Sequence, residues 1–262
     1  MTSNENNYDT VKFLEDSNYF GYPKEYVNIF EQGKLPLLSE DGKLFVGSDG
    51  LIKEASNGNG GMFNSMLKKG IIKDMENKGI EWVFIGSVDN ILLKYVDPLL
   101  IGLTLKKGTY IGTRTVLKRS PEERVGVLCK QNNKVKVIEY TEMPEDIASI
   151  TNDNGELTFG ESHIMCNLFN IDAIKRCSTK ELEYHIAFKK TEYMDKYGVI
   201  VSPEAPNAYK FEQFIFDSFK IFDDIAILRG KREEDFAPVK NMTGQDSPET
   251  AKKLYENYWK IG

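Results

Sequence analysis

Three places in this sequence offer chemistry to a ligand. Asn57-Gly58-Asn59-Gly60-Gly61 is a run with almost no side-chain bulk, followed by Met62, Met66, Ile71 and Met75 at helical spacing. Backbone without Cβ atoms lets a ligand lie against amides, and a helix that starts there favours an anion or a hydroxyl-bearing group. The run lacks the Lys-Ser/Thr of a Walker A loop and does not match the dinucleotide fingerprint, so an ordinary surface turn stands as the alternative. Asp89 follows the apolar run Glu81 to Val88. A carboxylate beyond the carboxyl end of a strand sits where open α/β sheets bind ligands, and a single hard oxygen donor suits magnesium shared with phosphates. Its plain alternative is a helix N-cap for Ile91 onward. Lys240, just past Pro238, can reach a phosphate as a point charge or simply be solvated surface.

These residues need elements to hold them. Apolar periodicity alternates strand-like and helical segments, which suggests an α/β fold with a mostly parallel sheet covered on both faces. Thr10–Asp16 and Glu25–Glu31 read as short helices, and Leu44–Gly47 with Gly50–Lys53 as a hairpin turning at Ser48 and Asp49. Gly79 closes the helix begun at Met62, and Glu81–Val88 reads as a strand buried on both faces. A helix follows Asp97-Pro98. Gly112–Lys118, Arg124–Lys130 and Lys134–Tyr140 read as strands, the last two joined through Gln131-Asn132-Asn133. Leu157–Asn170 is strand-like and passes into a helix near Asp172. Phe211, Phe214, Ile215, Phe219 and Phe222 recur at helical spacing, and Ile225–Leu228 is a short strand. Lys231 to Asp235 reads as a solvated charged segment. Ser247-Pro248-Glu249 opens a capped amphipathic helix running to Ile261.

Composition excludes several classes. The 262 residues carry 34 Lys+Arg against 40 Asp+Glu, a formal charge of −6, which gives no general cationic face for nucleic acid. The longest apolar stretch, Ile91 to Leu105, is broken by Lys94 and Asp97, so no membrane span is expected, and Met1 to Asp9 has no charged-then-apolar leader; the expectation is a cytoplasmic chain. Cys129, Cys166 and Cys177 lack C-x-x-C spacing and read as reduced thiols, and His163 and His185 lack metal-ligand spacing. No Gly-x-Ser-x-Gly elbow supports a serine hydrolase.

Taken in order, the segments resemble the eukaryotic-type UDP-sugar pyrophosphorylase family, and within it the N-acetylglucosamine branch. The matches include Met1-Thr2-Ser3, Tyr19-Phe20-Gly21, Phe30-Glu31-Gln32-Gly33-Lys34-Leu35-Pro36, Gly58-Asn59-Gly60-Gly61, Val88-Asp89-Asn90-Ile91-Leu92, Glu139-Tyr140-Thr141-Glu142, Phe216-Asp217 and Asp235-Phe236-Ala237-Pro238-Val239-Lys240-Asn241. Gly-Asn-Gly-Gly points to the N-acetylglucosamine branch, since the UDP-glucose branch usually carries Gly-His-Gly. The resemblance implies a nucleotidyltransferase domain of the GT-A, Rossmann-like kind, with a mixed sheet flanked by helices over residues 1–262. It implies transfer of uridylyl from UTP to a sugar 1-phosphate with magnesium assisting. By the same resemblance Gln32 and Gly58 would hold uracil, Asn59, Glu139 and Tyr140 the sugar, and Asp89 the magnesium. Lys240 would neutralise phosphates, with Lys118 as a second phosphate candidate.

Two departures are visible. His163 stands where the family usually has an Asn that touches the sugar, and an imidazole cannot donate and accept as an amide does. The family's opening Gly-Gly-x-Gly-Thr-Arg phosphate loop is absent, as is its separate C-terminal domain. The expectation is therefore a fold incomplete at its N-terminus, with a complementing chain that carries the loop as a partner. Alternative readings are a UDP-glucose or broad-specificity enzyme, and a non-catalytic remnant or half of a split enzyme.

Overall fold

The structure, a computed structural model, describes residues 1–260. In chain order it contains α1 (Asn7–Asp16), β1 (Lys34–Pro36), β2 (Glu54–Ser56), α2 (Met62–Lys68), α3 (Ile71–Asn77), β3 (Trp82–Gly86), α4 (Pro98–Lys107), β4 (Ile111–Leu117), β5 (Val127–Gln131) and β6 (Lys134–Ile138). There follow α5 (Glu145–Ala148), β7 (Glu161–Asn170), α6 (Ile171–Ser178), β8 (His185–Lys189), β9 (Tyr193–Met194), β10 (Ile200–Val201), β11 (Ala208–Glu212), β12 (Ala226–Arg229), α7 (Arg232–Asp235) and α8 (Pro248–Trp259). The chain forms two compact units, one from Met1–Ile71 with Cys177–Ser218, the other from Ile72–Arg176 with Phe219 onward.

The second unit is built on a six-stranded sheet in the order β12-β4-β7-β5-β6, with β3 also on β7. At 10 residues, β7 is long enough to pair with β4 along one edge and with β3 and β5 along the other. The mixed sheet implied by the resemblance is present. The largely parallel sheet expected from periodicity is not, because only β12 and β4 run parallel. Periodicity reports which segments are strands but not which neighbours they take. Here Asn132 and Asn133, at φ 51° and 62°, fold β5 straight back on β6, the left-handed turn geometry that asparagine tolerates. β3 is half-buried throughout and pairs only with β7 among the described residues, so the expectation of a strand covered on both faces is corrected. Its Phe84, with Leu93 from the turn segment that follows, packs on Val116, Ile164, Cys166 and Phe236.

Helix ends follow local chemistry. Asp97 accepts the Leu99 N–H at 3.0 Å, Pro98 occupies the first turn of α4, and Gly108 at φ 68° ends it. In α8, N-cap Ser247 and Thr250 form a capping box that spans Pro248, as its start signal predicts, while Ile261 lies outside the described residues.

In the first unit, β1 pairs with β2, β8 with β11 and β9 with β10, all antiparallel, around Leu37, Phe45 and Ala208. The 44–53 hairpin is present as a bridge between Val46 and Ile52, with Gly50 at φ 77°. Three helical expectations are corrected. Only Lys24–Tyr26 is helical in the 25–31 region, because Gln32 N–H bonds Thr2 O at 2.8 Å and holds the chain extended. Phe211 lies on β11, and a 3-10 helix runs from Ile215 to Ile221. The Met62–Met75 pattern is two helices, split at Gly70 with φ 72°.

Candidate active site

The glycine segment in the first unit is built against one strand end. Gly60 N–H bonds Gln213 O at 2.8 Å, and Gln213 N–H bonds Asn57 O at 2.8 Å. A Cβ on Gly60 would stand 2.8 Å from the Gln213 backbone carbon, so only glycine fits there; Gly58, at φ 80°, is pressed against the same residue. Asn59 Oδ1 accepts the Ile215 N–H at 2.9 Å, which starts the 3-10 helix and spends that oxygen on the fold. On either side of Ile215, Phe214 and Phe216 stack at 5.1 Å, and the His185 ring lies 5.0 Å from Phe214. His185 Nε2 in turn meets Asp217 Oδ2 at 2.8 Å. Sequence periodicity reads these aromatics as one helical face, and their grouping beside Asn59 escapes it. Gln32 is half-buried on the segment bonded to Thr2. Gly60 and Gly61 line a cavity of ≈ 510 Å³ with Asn64, Lys68 and Gln213, whereas Gln32, Gly58 and Asn59 do not line it.

In the second unit the segments that carry two predicted residues, Asp89 and Lys240, pair through their backbones. Val239 N–H bonds Asp89 O at 2.9 Å and Ile91 N–H bonds Ala237 O at 3.3 Å, so the segment after β3 pairs with the segment that ends in Lys240. Asn90 pins both: its Nδ2 donates to Asp235 O at 2.8 Å, and its Oδ1 accepts from Ala237 N–H at 2.9 Å and Leu92 N–H at 3.2 Å. Asp89 is half-buried and accepts a bond from the Ser87 hydroxyl. It does not cap a helix, since the chain makes only turns before α4. Among the described residues no group of three His, Cys, Asp or Glu could cage a metal. Asp89 offers a single hard oxygen donor, the kind of ligand magnesium takes when phosphate oxygens and water supply the rest.

Beneath these loops lies a buried charge cluster. Arg114 on β4 binds Asp97 and, at 2.7 Å through Nη1, Asp235, which also meets Lys94 at 2.9 Å. Asp235 is 2% exposed, so the solvated charged segment expected at 231–235 is corrected: the α7 turn tucks its last carboxylate onto the arginine. Arg232 likewise binds Glu123. Cys166, beside this cluster, is pushed up to about 12 by burial and is an inert thiol.

The remaining candidates gather at the β5–β7 end of the sheet. His163 N–H bonds Gly126 O at 2.9 Å, and a Cβ on Gly126 would stand 3.0 Å from Glu139 Oε1. Gly126 thus joins Glu139 to His163, a role the sequence reading missed; a glycine opening a strand was its only signal. His163 is 8% exposed, with Nε2 3.1 Å from Asn167 Oδ1 and its ring edge-on to Phe219. Burial lowers its pKa to about 4 and keeps it neutral. Tyr140 lines two cavities. One, of ≈ 380 Å³, also holds Lys118, whose ammonium donates to Pro121 O at 2.9 Å and is pulled below its ordinary range by burial. The other, of ≈ 670 Å³, holds Lys240 with Arg119 and Arg124. Lys118 and Lys240 do not share a cavity.

The family model for UTP–glucose-1-phosphate uridylyltransferase matches residues 1–246. The chain belongs to this family. Among its relatives, UDP-N-acetylhexosamine pyrophosphorylase-like protein 1 of Xenopus tropicalis is 37% identical over 256 residues, covering 95% of this chain and 50% of that protein. A crystal structure from Entamoeba histolytica, described as a UDP-N-acetylglucosamine pyrophosphorylase, superposes with a TM-score of 0.87 at 32% identity, over 98% of this chain and 64% of the other. The Trypanosoma brucei UDP-N-acetylglucosamine pyrophosphorylase, solved with an inhibitor, gives a TM-score of 0.79 at 30% identity, over 95% and 51%. The chain spans about half the length of the curated relatives it matches. No helix among the described residues is long and apolar enough to cross a membrane.

Proposed function

We propose that this chain carries out uridylyl transfer from UTP to a sugar 1-phosphate, with N-acetylglucosamine 1-phosphate as the acceptor, and acts in the cytoplasm. The observation that carries this reading is the backbone pairing that sets Asp89 beside the Val239-Lys240 segment at the end of β3. A carboxylate and a lysine carried on two segments joined by backbone bonds suit phosphate chemistry that depends on positioning and charge neutralisation. A phosphate oxygen of the sugar 1-phosphate would attack the α-phosphorus of UTP in line. The new P–O bond makes the UDP-sugar, and the α–β bridging bond breaks to release pyrophosphate with its electron pair. No protein nucleophile is needed.

Asp89 would hold magnesium, which when bound supplies charge neutralisation on the phosphate oxygens. Lys240 would neutralise a phosphate through its ammonium. Glu139 and Tyr140 would bind sugar hydroxyls, with Gly126 giving the room. His163 would shape the sugar side from the core rather than donate as an amide does. In the first unit Gln32 and the Gly58 backbone would receive uracil, and Asn59, with the stacked Phe214 and Phe216, the acetamido group. Lys118, tied to a carbonyl among carboxylates, is the weaker phosphate candidate. Relatives at 30% identity and above that are named for UDP-N-acetylglucosamine support N-acetylglucosamine over glucose as the sugar.

Purified chain with UTP, magnesium and N-acetylglucosamine 1-phosphate should release pyrophosphate, measured by a coupled phosphatase assay. A second reading, activity only with a complementing chain that bears a Gly-Gly-x-Gly-Thr-Arg loop, is favoured by the outer edge of β3, which has no strand partner among the described residues. Release only after such a chain is added would select the second reading. No release under either condition would refute both.

A further inference from the structure

The cavity of ≈ 670 Å³ that Lys240 and Tyr140 line carries more positive charge than those two roles use. Arg119 and Arg124 line it too. The acids around them are already engaged. Glu123 binds Arg232 and accepts the Arg119 N–H at 2.7 Å, while Asp246 Oδ1 faces Arg119 Nη1 at 3.4 Å. Glu122, the third acid, bonds Ser120 and feels the charge of Lys118. Arg124 and Lys240 are therefore left over: neither has a carboxylate within ion-pair distance among the described residues. The loop that carries Lys240 is closed on itself, with both Lys240 N–H (2.7 Å) and Asn241 N–H (3.0 Å) donating to Asp246 O. Asn241 Nδ2 adds a bond to Gln245 O at 2.8 Å. The ammonium is thus presented from a fixed backbone.

Two uncompensated cations lining one cavity, one a planar guanidinium with a forked donor set, match the oxygens of a phosphate. Tyr140 lines the same cavity and offers a hydroxyl-bearing ring to a sugar that continues from that phosphate. Resting on the uridylyl-transfer reading for the identity of the ligand, we propose that Arg124 is a second phosphate-binding residue beside Lys240 and holds the phosphate of the sugar 1-phosphate. A solvated surface arginine is the ordinary alternative, and it makes no contribution to binding. Pyrophosphate offers the same chemistry, so the experiment separates the two sources.

Isothermal titration of the full chain and of Arg124→Gln and Arg124→Lys would use N-acetylglucosamine 1-phosphate, unphosphorylated N-acetylglucosamine and pyrophosphate. Removing one charge-assisted, two-pronged contact should weaken the sugar phosphate by about 10- to 100-fold. Arg124→Lys should recover part of that loss, and the affinity for the unphosphorylated sugar should not move. Arg124 is exposed, and far-UV circular dichroism should show both variants folded. An unchanged dissociation constant for the sugar phosphate would overturn the assignment. So would equal loss for the unphosphorylated sugar, a larger loss for pyrophosphate, or no binding of the sugar phosphate by the native chain. Binding that depends on Arg124 without pyrophosphate release, with or without a complementing chain, would instead refute the uridylyl-transfer reading and leave this assignment standing.

Discussion

Asn90 offers the sharpest test of how the Asp89–Lys240 region is held. Its side chain is 4% exposed and makes three hydrogen bonds, one given to Asp235 O and two taken from Leu92 and Ala237. All three partners are buried, at 2%, 4% and 0% exposure for Asp235, Leu92 and Ala237. Asn90→Ala strands two N–H donors and one carbonyl. Each buried orphan costs roughly 1–3 kcal/mol, and relaxation recovers part, so a net loss of about 3 kcal/mol is expected. At about 2–4 °C per kcal/mol for a domain of this size, the melting midpoint should fall by about 6–12 °C. Urea denaturation gives the free energy, and amide hydrogen exchange locates it. The Ala237, Ile91 and Val239 amides should lose protection, because the Asn90 side chain aligns the backbone pairing they make. Asn90→Asp keeps the acceptor and loses the donor, so the Asp235 carbonyl alone is orphaned while a charge enters a buried site. It should be comparably destabilised and lose less protection at Ala237. A change below about 0.5 kcal/mol for Asn90→Ala, with the Ala237 amide as protected as in the native chain, would refute this account of the loop.

Three other outcomes follow from the geometry. Gly126→Ala puts a methyl group 2.8 Å from Val137 Cγ1 and 3.0 Å from Glu139 Oε1, and should displace the carboxylate; on the proposed function the KM for the sugar phosphate rises about tenfold while that for UTP holds, and equal changes in both would contradict the Glu139 role. His163 has a folded pKa of about 4 against an ordinary value of about 6.5, so it contributes stability above pH 6.5 that is lost as pH falls toward 4. That loss is on the order of 3 kcal/mol, and His163→Gln should flatten this part of the unfolding profile; an unchanged slope would show that His163 is not its source. Arg114→Ala leaves Asp97 and Asp235 buried without their shared cation, and should cost about 3–5 kcal/mol in chemical denaturation, whereas a near-neutral result would mean that water reaches the cluster.

The legible part of the site was local. Glycines whose backbone must pass another chain, a carboxylate after an apolar run, and a lysine after a proline are signals confined to a few residues. The charged stretch at 231–235 shows the limit. Its composition reads as solvated surface, yet Asp235 ends up 2% exposed because Arg114 and Lys94, more than a hundred residues earlier, meet it. No short window contains that pair. The phenylalanines from 211 to 222 fail for a related reason: β8 pairs with β11 and draws Phe211 into a strand, overriding the helical spacing.

By itself the amino-acid sequence determined the strands at 112–118, 134–140 and 225–228, the starts of α4 and α8, the hairpin at Asn132-Asn133 and the family to which the chain belongs. Each rests on side-chain chemistry acting within a few residues, or on an ordered series of short motifs. Only the tertiary structure decided the strand order, the pairing that sets Asp89 beside Val239, the burial that leaves His163 neutral, and the placement of Arg124 rather than Lys118 in the cavity with Lys240. Those depend on which distant backbone donors and acceptors find one another. That choice is made by the whole core at once, and periodicity does not record it.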